Sequence, residues 1–188
     1  MTNKELREHL TGRGACRPAM GWLGDRDLET TWRECERADW LMWLIGPHIP
    51  RTDLVLLACQ CARTALVRVP DGEDRPRICV ETAEKWTRGE ATIEEVMAAA
   101  EEVRAVLLAE WWAEREDVIS ALRAAVRAAE AAEAVEAGAE EPWAVRRASW
   151  AASWAAESAA ESAAAHPTMC AIIRAKYQVC PDLRKGGA

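Results

Sequence analysis

The sequence contains no phenylalanine and only one tyrosine, so that ten tryptophans carry nearly all of its aromatic character. It also has no run of about 18 apolar residues without charges, which excludes a transmembrane helix. The first ten residues, MTNKELREHL, are polar and lack the apolar centre of a secretion signal. We therefore expect a cytoplasmic protein that does not enter a membrane.

The sequence also lacks the common signatures of enzymes. It has no P-loop, no Gly-x-Gly-x-x-Gly before a helix and no His-Glu-x-x-His. Its three histidines, His9, His48 and His166, each stand alone at a predicted helix end or loop. A catalytic histidine needs a nucleophile or a carboxylate within hydrogen-bond reach. The pair Cys16 and His48 stays open but has no supporting signature, so we predict a protein that is not an enzyme and needs no cofactor.

Seven cysteines are present, an odd number, which together with the missing signal sequence favours free thiols in a reducing compartment. Only Cys59 and Cys61 are close in sequence. On a helix, positions two apart point about 200° away from each other. The two thiolates are therefore not expected to share a metal ion, and we predict no metal site.

Charge is distributed unevenly along the chain. The net charge is −7, made up of +1 over residues 1–70, −11 over residues 71–165 and +3 over residues 166–188. Nonspecific nucleic-acid binding requires a basic surface, so we expect no direct contact with nucleic acid. An acidic middle is compatible with a basic surface on a protein partner, although solvated acidic faces on long helices are the simpler interpretation.

Helix caps and helix breakers predict an all-α protein, a single-domain helical bundle over residues 1–180 with six to eight helices. Residues 12–27 contain four glycines and a proline and predict a loop with at most one helical turn, and residues 181–188 predict a disordered tail. Thr92-Ile-Glu-Glu95 forms a capping box. Residues 93–137 contain neither glycine nor proline and form one helix, or two that break near 113–117. The remaining predicted helices cover 3–10, 27–45, 53–69, 76–89, 142–165 and 168–180.

The sequence SWAASWAAESAAESAAA, residues 149–165, predicts one arm of an Ala-rich antiparallel helical hairpin over residues 96–165. Its small residues let two helices approach closely with little loss of side-chain entropy. Ala121, Ala125, Ala128 and Ala132 form a matching stripe for the facing helix. We expect the end of the arm that carries Trp150 and Trp154 to be buried. The alternative is an exposed arm that grips another protein.

Tryptophans and charged residues are densest in GDRDLETTWRECERADWLMWLIG, residues 24–46. The simplest interpretation is a core helix whose Trp32, Trp40 and Trp43 fill the centre of the protein and whose Asp39 forms a cap or a local pair. The alternative is an aromatic and charged hot spot that binds a partner.

Several motifs in this part of the chain occur in a specific order. They are Ala15-Cys16, Trp22-Leu23, the run from Trp32 through Cys35 to Asp39-Trp40-Leu41, Trp43-Leu44, Asp74-Arg75-Pro76, and Trp86 followed by Gly89-Glu90-Ala91-Thr92. Over residues 14–95 the chain resembles a bacterial and phage family of immunity proteins paired with polymorphic toxins, the fifth-numbered class. The Ala-rich arms match that family only in composition. The resemblance implies a cytoplasmic protein that neutralises a toxin by binding it.

We therefore expect a non-enzymatic inhibitor that binds a toxin or effector stoichiometrically. The alternatives are a phage-encoded anti-defence protein of the anti-CRISPR type, which covers a host effector complex, and a cryptic enzyme. The partner is expected to present a basic surface, and a homodimer stays open. The predicted partner-binding residues are Asp25, Asp39, Asp71, Glu73, Asp74, Glu94, Glu95, Glu101 and Glu102.

Overall fold

The structure, a computed structural model, describes residues 1–110, 115–137, 142–163 and 165–183. Helices account for 79% of this part, and it contains no strand. The prediction of an all-α helical bundle is confirmed. Of the helices in the described ranges, none has both the length and the apolar character needed to cross a membrane.

The described residues contain ten α-helices and two short 3-10 segments, so the predicted number of six to eight helices is wrong. The α-helices are α1 (Asn3–Gly12), α2 (Arg17–Leu23), α3 (Leu28–Glu34), α4 (Ala38–Ile45), α5 (Arg51–Ala65), α6 (Arg75–Thr87), α7 (Ile93–Glu110), α8 (Glu116–Ala137), α9 (Pro142–Ala163) and α10 (His166–Lys176). The 3-10 segments are Gly46–His48 and Leu66–Arg68.

Several helices begin where the side chains predict. Thr2 and Glu5 form a capping box on α1, and Asp27 accepts a hydrogen bond from the Thr30 amide at the start of α3. At α7 the Glu95 amide donates to Thr92 Oγ1, and the Thr92 amide donates to Glu95 at 2.7 Å. These side chains satisfy amides that the first helical turn leaves without a partner.

The predicted continuous helix over 27–45 is wrong, because the chain breaks between α3 and α4. Cys35 has extended backbone angles. Arg174 of α10 donates hydrogen bonds to the carbonyls of Trp32, at 2.8 Å, and Cys35. A cation at a helix C-terminus is favourable because the last carbonyls carry partial negative charge. The break therefore depends on a contact with a residue far away in the sequence.

Three smaller corrections concern helix bounds. Residues Arg17–Leu23, predicted as loop with at most one turn, form the two-turn helix α2, with Pro18 in its first turn. Helix α5, predicted over 53–69, begins at Arg51 and ends at Ala65. Helix α10 begins at His166 rather than at Thr168, since Pro167 fits its first turn.

Of the two alternatives for residues 93–137, the structure has two helices, α7 and α8. They pack against each other, and Arg104 of α7 pairs with Glu130 of α8 at 3.0 Å. The predicted break at 113–117 begins in residues that lie outside the described ranges.

Helices α8 and α9 form the Ala-rich hairpin, which is the most extensive helix–helix contact within the described ranges. Both helices carry alanines that are at most 5% exposed. The predicted connection of the hairpin, residues 138–141, lies outside the described ranges. Because alanine side chains are small, the two helices approach closely, and larger side chains are displaced to the outer faces. The prediction that Trp150 and Trp154 are buried is therefore wrong.

One cluster of buried side chains connects elements from α1 to the C-terminal end of the described chain. Trp32 lies in it and is 6% exposed, whereas Trp40 and Trp43 only pack against its edge. The prediction that all three fill the core holds for Trp32 alone. Leu183 is buried, so the predicted disordered tail does not include this residue. Residues 184–188 lie outside the described ranges.

Candidate functional site

A groove lined by four tryptophans lies between α4 and α9. Trp40 and Trp43 come from α4, and Trp150 and Trp154 come from α9. The groove has a volume of about 500 Å³. The segment from Gly14 to Ala19, which leads into α2, borders it. We call this feature the tryptophan groove.

Trp150 and Trp154 project from α9 because they lie four residues apart and away from its alanine face. They are 43% and 44% exposed, and their ring centroids are 6.3 Å apart. Residues at this spacing share one face of a helix. The rigid contact between α8 and α9 thus fixes two large aromatic side chains at the surface.

Each tryptophan of the groove has an arginine guanidinium over its ring. The distances from guanidinium carbon to ring centroid are 4.3 Å for Arg13 and Trp43, 5.1 Å for Arg37 and Trp40, 4.8 Å for Arg127 and Trp154, and 5.7 Å for Arg146 and Trp150. Cation–π attraction at this range restrains both partners. The groove is therefore a preformed surface of alternating aromatic and cationic groups.

Arg37 and Asp39 form the charged centre of the groove. The Nε and Nη2 atoms of Arg37 donate to the two oxygens of Asp39 at 2.8 and 2.7 Å. Arg37 also lies 3.6 Å from Glu157 on α9. Burial, together with the nearby charge of Asp39, raises the pKa of Glu157 above its ordinary value. The ion pairs hold α4 and α9 together at this end of the groove.

All three histidines have neighbours that their positions in the sequence do not reveal. The rings of His9 and His48 lie against each other at a tilt of 43°, with centroids 5.7 Å apart. His166 accepts a hydrogen bond from the Ala38 amide at 3.4 Å, and its Nδ1 lies 3.9 Å from Asp39. Burial lowers the pKa of His9 and of His166. Cys16, considered above with His48, borders the tryptophan groove.

All seven cysteines are free thiols, and only Cys16 is exposed. Burial raises the pKa of Cys61, Cys79, Cys170 and Cys180 to about 12. In the described residues, no group of three histidine, cysteine, aspartate or glutamate side chains has the arrangement of a metal site.

Three of the predicted partner-binding acids lie in the loop before α6, and two of them have arginine partners. Glu73 pairs with Arg75, and Asp74 lies 3.0 Å from Arg77. Asp71 is exposed. Pairing with Arg75 lowers the pKa of Glu73. These ion pairs neutralise part of the charge that the loop presents.

The predicted acids of α7 are exposed but differ in their roles. Glu95 closes the capping box, and Glu101 pairs with Arg104. Glu102 lies near enough to Arg75, the first residue of α6, to interact with its charge. Glu73 and Glu102 thus share Arg75 as a neighbour, and we call the loop acids Asp71, Glu73 and Asp74 together with Glu102 the acidic cluster.

The two remaining predicted residues lie apart from that cluster. Asp25 is exposed in the link between α2 and α3. Asp39 is 7% exposed and lies in the tryptophan groove with Arg37. Sequence reasoning missed Trp150, Trp154 and their arginines as site residues. The sequence pattern that could have identified the two tryptophans is their four-residue spacing, which places both on the helix face opposite an alanine stripe.

Comparison with known proteins found no matching family model, no matching curated protein and no matching solved structure. The resemblance of residues 14–95 to the immunity-protein family stays an expectation.

Proposed function

We propose that the protein is a non-enzymatic inhibitor that binds a toxin or another effector one to one inside a bacterial cell. The tryptophan groove is the contact surface that the geometry favours. The motif order in residues 14–95 supports a toxin as the target, and that segment supplies Trp40 and Trp43, one wall of the groove.

The exposure of Trp150 and Trp154 is the observation that carries this proposal. A large apolar side chain that is 43–44% exposed retains much surface that a partner could bury. Tryptophan and arginine are the residue types that most often dominate the binding energy of protein interfaces. In the groove they occur together, and each guanidinium is already held over a ring.

The rigidity of the hairpin adds to the argument. Side chains that must be ordered on binding reduce affinity, because their conformational entropy is lost. Here the alanine contact between α8 and α9 orders the backbone, and the ion pair of Arg37 with Asp39 and Glu157 ties α4 to it. A partner thus meets aromatic side chains that are largely fixed in advance.

The test uses the full chain as bait in a bacterial lysate, followed by titration of the captured target. We compare the wild type with a Trp150→Ala/Trp154→Ala double variant. The matched control is Val67→Ala/Leu108→Ala, which shortens two apolar side chains that are 78% and 74% exposed elsewhere. We expect the control to bind like the wild type, and the tryptophan variant to lose at least about tenfold in affinity, as for interface hot spots.

Stoichiometry separates binding from catalysis. An inhibitor suppresses its target fully only at one equivalent, whereas an enzyme acts at a small fraction of an equivalent. Complete inactivation at a catalytic dose would contradict the proposal. If the tryptophan variant and the control bound the target equally well, the tryptophan groove would not be the contact surface.

A further inference from the structure

A smaller cavity of about 100 Å³ opens beside the tryptophan groove and shares Trp43 and Trp150 with it. Two arginines line this cavity, Arg13 from the end of α1 and Arg146 from α9. The other lining residues are Gly12 and Ser149. We call it the arginine cavity.

The two arginines bring like charges together. Arg13 is half-buried, and burial together with the charge of Arg146 lowers the pKa of Arg13 to about 10. No acidic side chain in the described residues pairs with either guanidinium. This differs from Arg37, Arg63, Arg75 and Arg104, each of which has a carboxylate partner.

Local structure holds both guanidiniums in place without an anion. Arg13 donates to the carbonyls of Leu44 and Trp43 at 3.0 and 2.7 Å, the C-terminal end of α4. These bonds use two of its five N–H groups. Arg146 lies over the ring of Trp150. Arginine donors that remain available in a cavity are suited to the planar or tetrahedral oxygens of an anion.

We propose that the arginine cavity binds an oxyanion, a carboxylate or a phosphate group, between Arg13 and Arg146. The anion removes the repulsion between the two guanidiniums and accepts hydrogen bonds from both. Trp43 and Trp150 form the apolar sides of the site and exclude water from the ion pairs. This site does not depend on the proposed inhibitor function, because an isolated anion suffices to test it.

The experiment titrates the full-length protein with sodium phosphate or sodium acetate at constant ionic strength, with chloride as the balancing anion. Binding to the folded state raises the melting temperature in a saturable manner. The indole N–H signals of Trp43 and Trp150 in NMR spectra, assigned by single Trp→Phe variants, report whether the anion binds in this cavity. The anion that binds with the higher affinity shows whether the site prefers phosphate or carboxylate.

Arg146→Gln is the test variant, because Arg146 is exposed and forms no ion pair within the described structure. Arg147→Gln is the matched control, since the adjacent Arg147 lies outside the cavity and 3.3 Å from Glu133. We expect Arg146→Gln to weaken anion binding at least about tenfold, the effect of losing one charge-assisted hydrogen-bonding partner. Arg147→Gln is expected to bind like the wild type.

A second variant tests the site without added anion. Arg146→Glu places a carboxylate beside Arg13 and supplies the anion within the chain. We expect this variant to melt above Arg146→Gln in chloride and to lose its response to phosphate and acetate. Arg147→Glu, which faces Glu133, is expected to melt below Arg147→Gln. A wild type without a saturable response to either anion would overturn the proposal, as would equal responses of Arg146→Gln and Arg147→Gln.

Discussion

Gly46, directly after α4, lies against Ser149 of α9 so closely that a β carbon at Gly46 would come within 2.5 Å of Ser149 Oγ and 2.8 Å of its Cβ. Only glycine fits here, because no rotation of a side chain can remove the contact with a β carbon. The pair lies beside the arginine cavity, which Ser149 also lines. The close approach of these two residues sets the distance between the two walls of the tryptophan groove.

Gly46→Ala is expected to destabilise the protein by about 1–3 kcal/mol, the usual cost of overpacking a tight contact. The measurement is urea unfolding followed by circular dichroism. Gly21→Ala is the control, since a β carbon at Gly21 meets nothing within 4 Å. The double variant Gly46→Ala/Ser149→Gly should recover part of the loss. If Gly46→Ala did not lower the free energy of unfolding, α4 and α9 would have to be further apart than in this structure.

Tryptophans that look equivalent in the sequence should differ in their contribution to stability. Trp32 is 6% exposed, so Trp32→Ala should cost about 3–5 kcal/mol, as for other buried large aromatic residues. Trp154→Ala should cost less than about 1 kcal/mol, because much of its ring is already in water. The comparison uses free energies of unfolding in urea. Similar losses for both variants would contradict the surface position of Trp154.

The sequence predicts where helices form better than it predicts which face of each helix is buried. Capping boxes at Thr2 and Thr92 depend on residues three apart, so local sequence identifies them. The break between α3 and α4 depends on Arg174, which is 139 residues away from Cys35, and no local pattern reveals it. The orientation of α9 was predicted wrongly for a similar reason. Both alanine and tryptophan repeat every four residues there, and hydrophobicity alone favours burying tryptophan.

The candidate site shows the same limit. Composition indicated that acidic residues matter, but the structure pairs Glu73, Asp74 and Glu101 with arginines. A sequence shows how many charged residues there are, but it does not show which of them form ion pairs in the folded chain. The two arginines of the arginine cavity, by contrast, are 133 residues apart and meet only in the folded chain.

Asp53 should make stability depend on pH in the acid range. Burial alone would raise its pKa, but hydrogen bonds from Lys176, at 2.8 Å, and Tyr177, at 2.6 Å, outweigh burial and lower it. A carboxyl whose pKa is lowered in the folded state stabilises the protein above its unfolded pKa of about 4, and this contribution is lost as the pH falls through the folded pKa.

Asp53→Asn should therefore destabilise the protein at pH 7 by about 1.5–3 kcal/mol, the contribution of a hydrogen bond to a charged group. The difference from the wild type should shrink as the pH falls below about 4. Asp71→Asn, in an exposed loop, is the control. Melting temperatures between pH 7 and pH 3 provide the measurement, and a difference that stays constant over this range would contradict the assignment.

Thiol accessibility should be highly unequal. Cys16 is exposed, whereas burial raises the pKa of the six other thiols and therefore lowers their thiolate fraction. We expect a thiol reagent to label Cys16 rapidly in the folded protein and all seven cysteines in urea without reductant. Cys16→Ser should abolish the rapid phase. Fewer than seven reactive thiols in unreduced, unfolded protein would indicate a disulfide.

The acidic cluster and the tryptophan groove should affect different steps of binding to a captured target. Charges that a partner approaches raise the association rate, and salt screens this effect. Asp71→Lys/Glu102→Lys should therefore slow association with a basic partner, and rising ionic strength should slow the wild type in the same way. Glu73 and Asp74 should matter less, since Arg75 and Arg77 already offset their charges.

Stopped-flow or biosensor kinetics can separate the two surfaces. Trp150→Ala/Trp154→Ala should raise the dissociation rate and leave the salt dependence unchanged, because buried apolar contacts act mainly on the lifetime of a complex. Glu8→Lys is the control for charge reversal, being an exposed acid on α1. If association were indifferent both to salt and to reversal at Asp71 and Glu102, the acidic cluster would contribute only to solubility, and the groove alone would account for recognition.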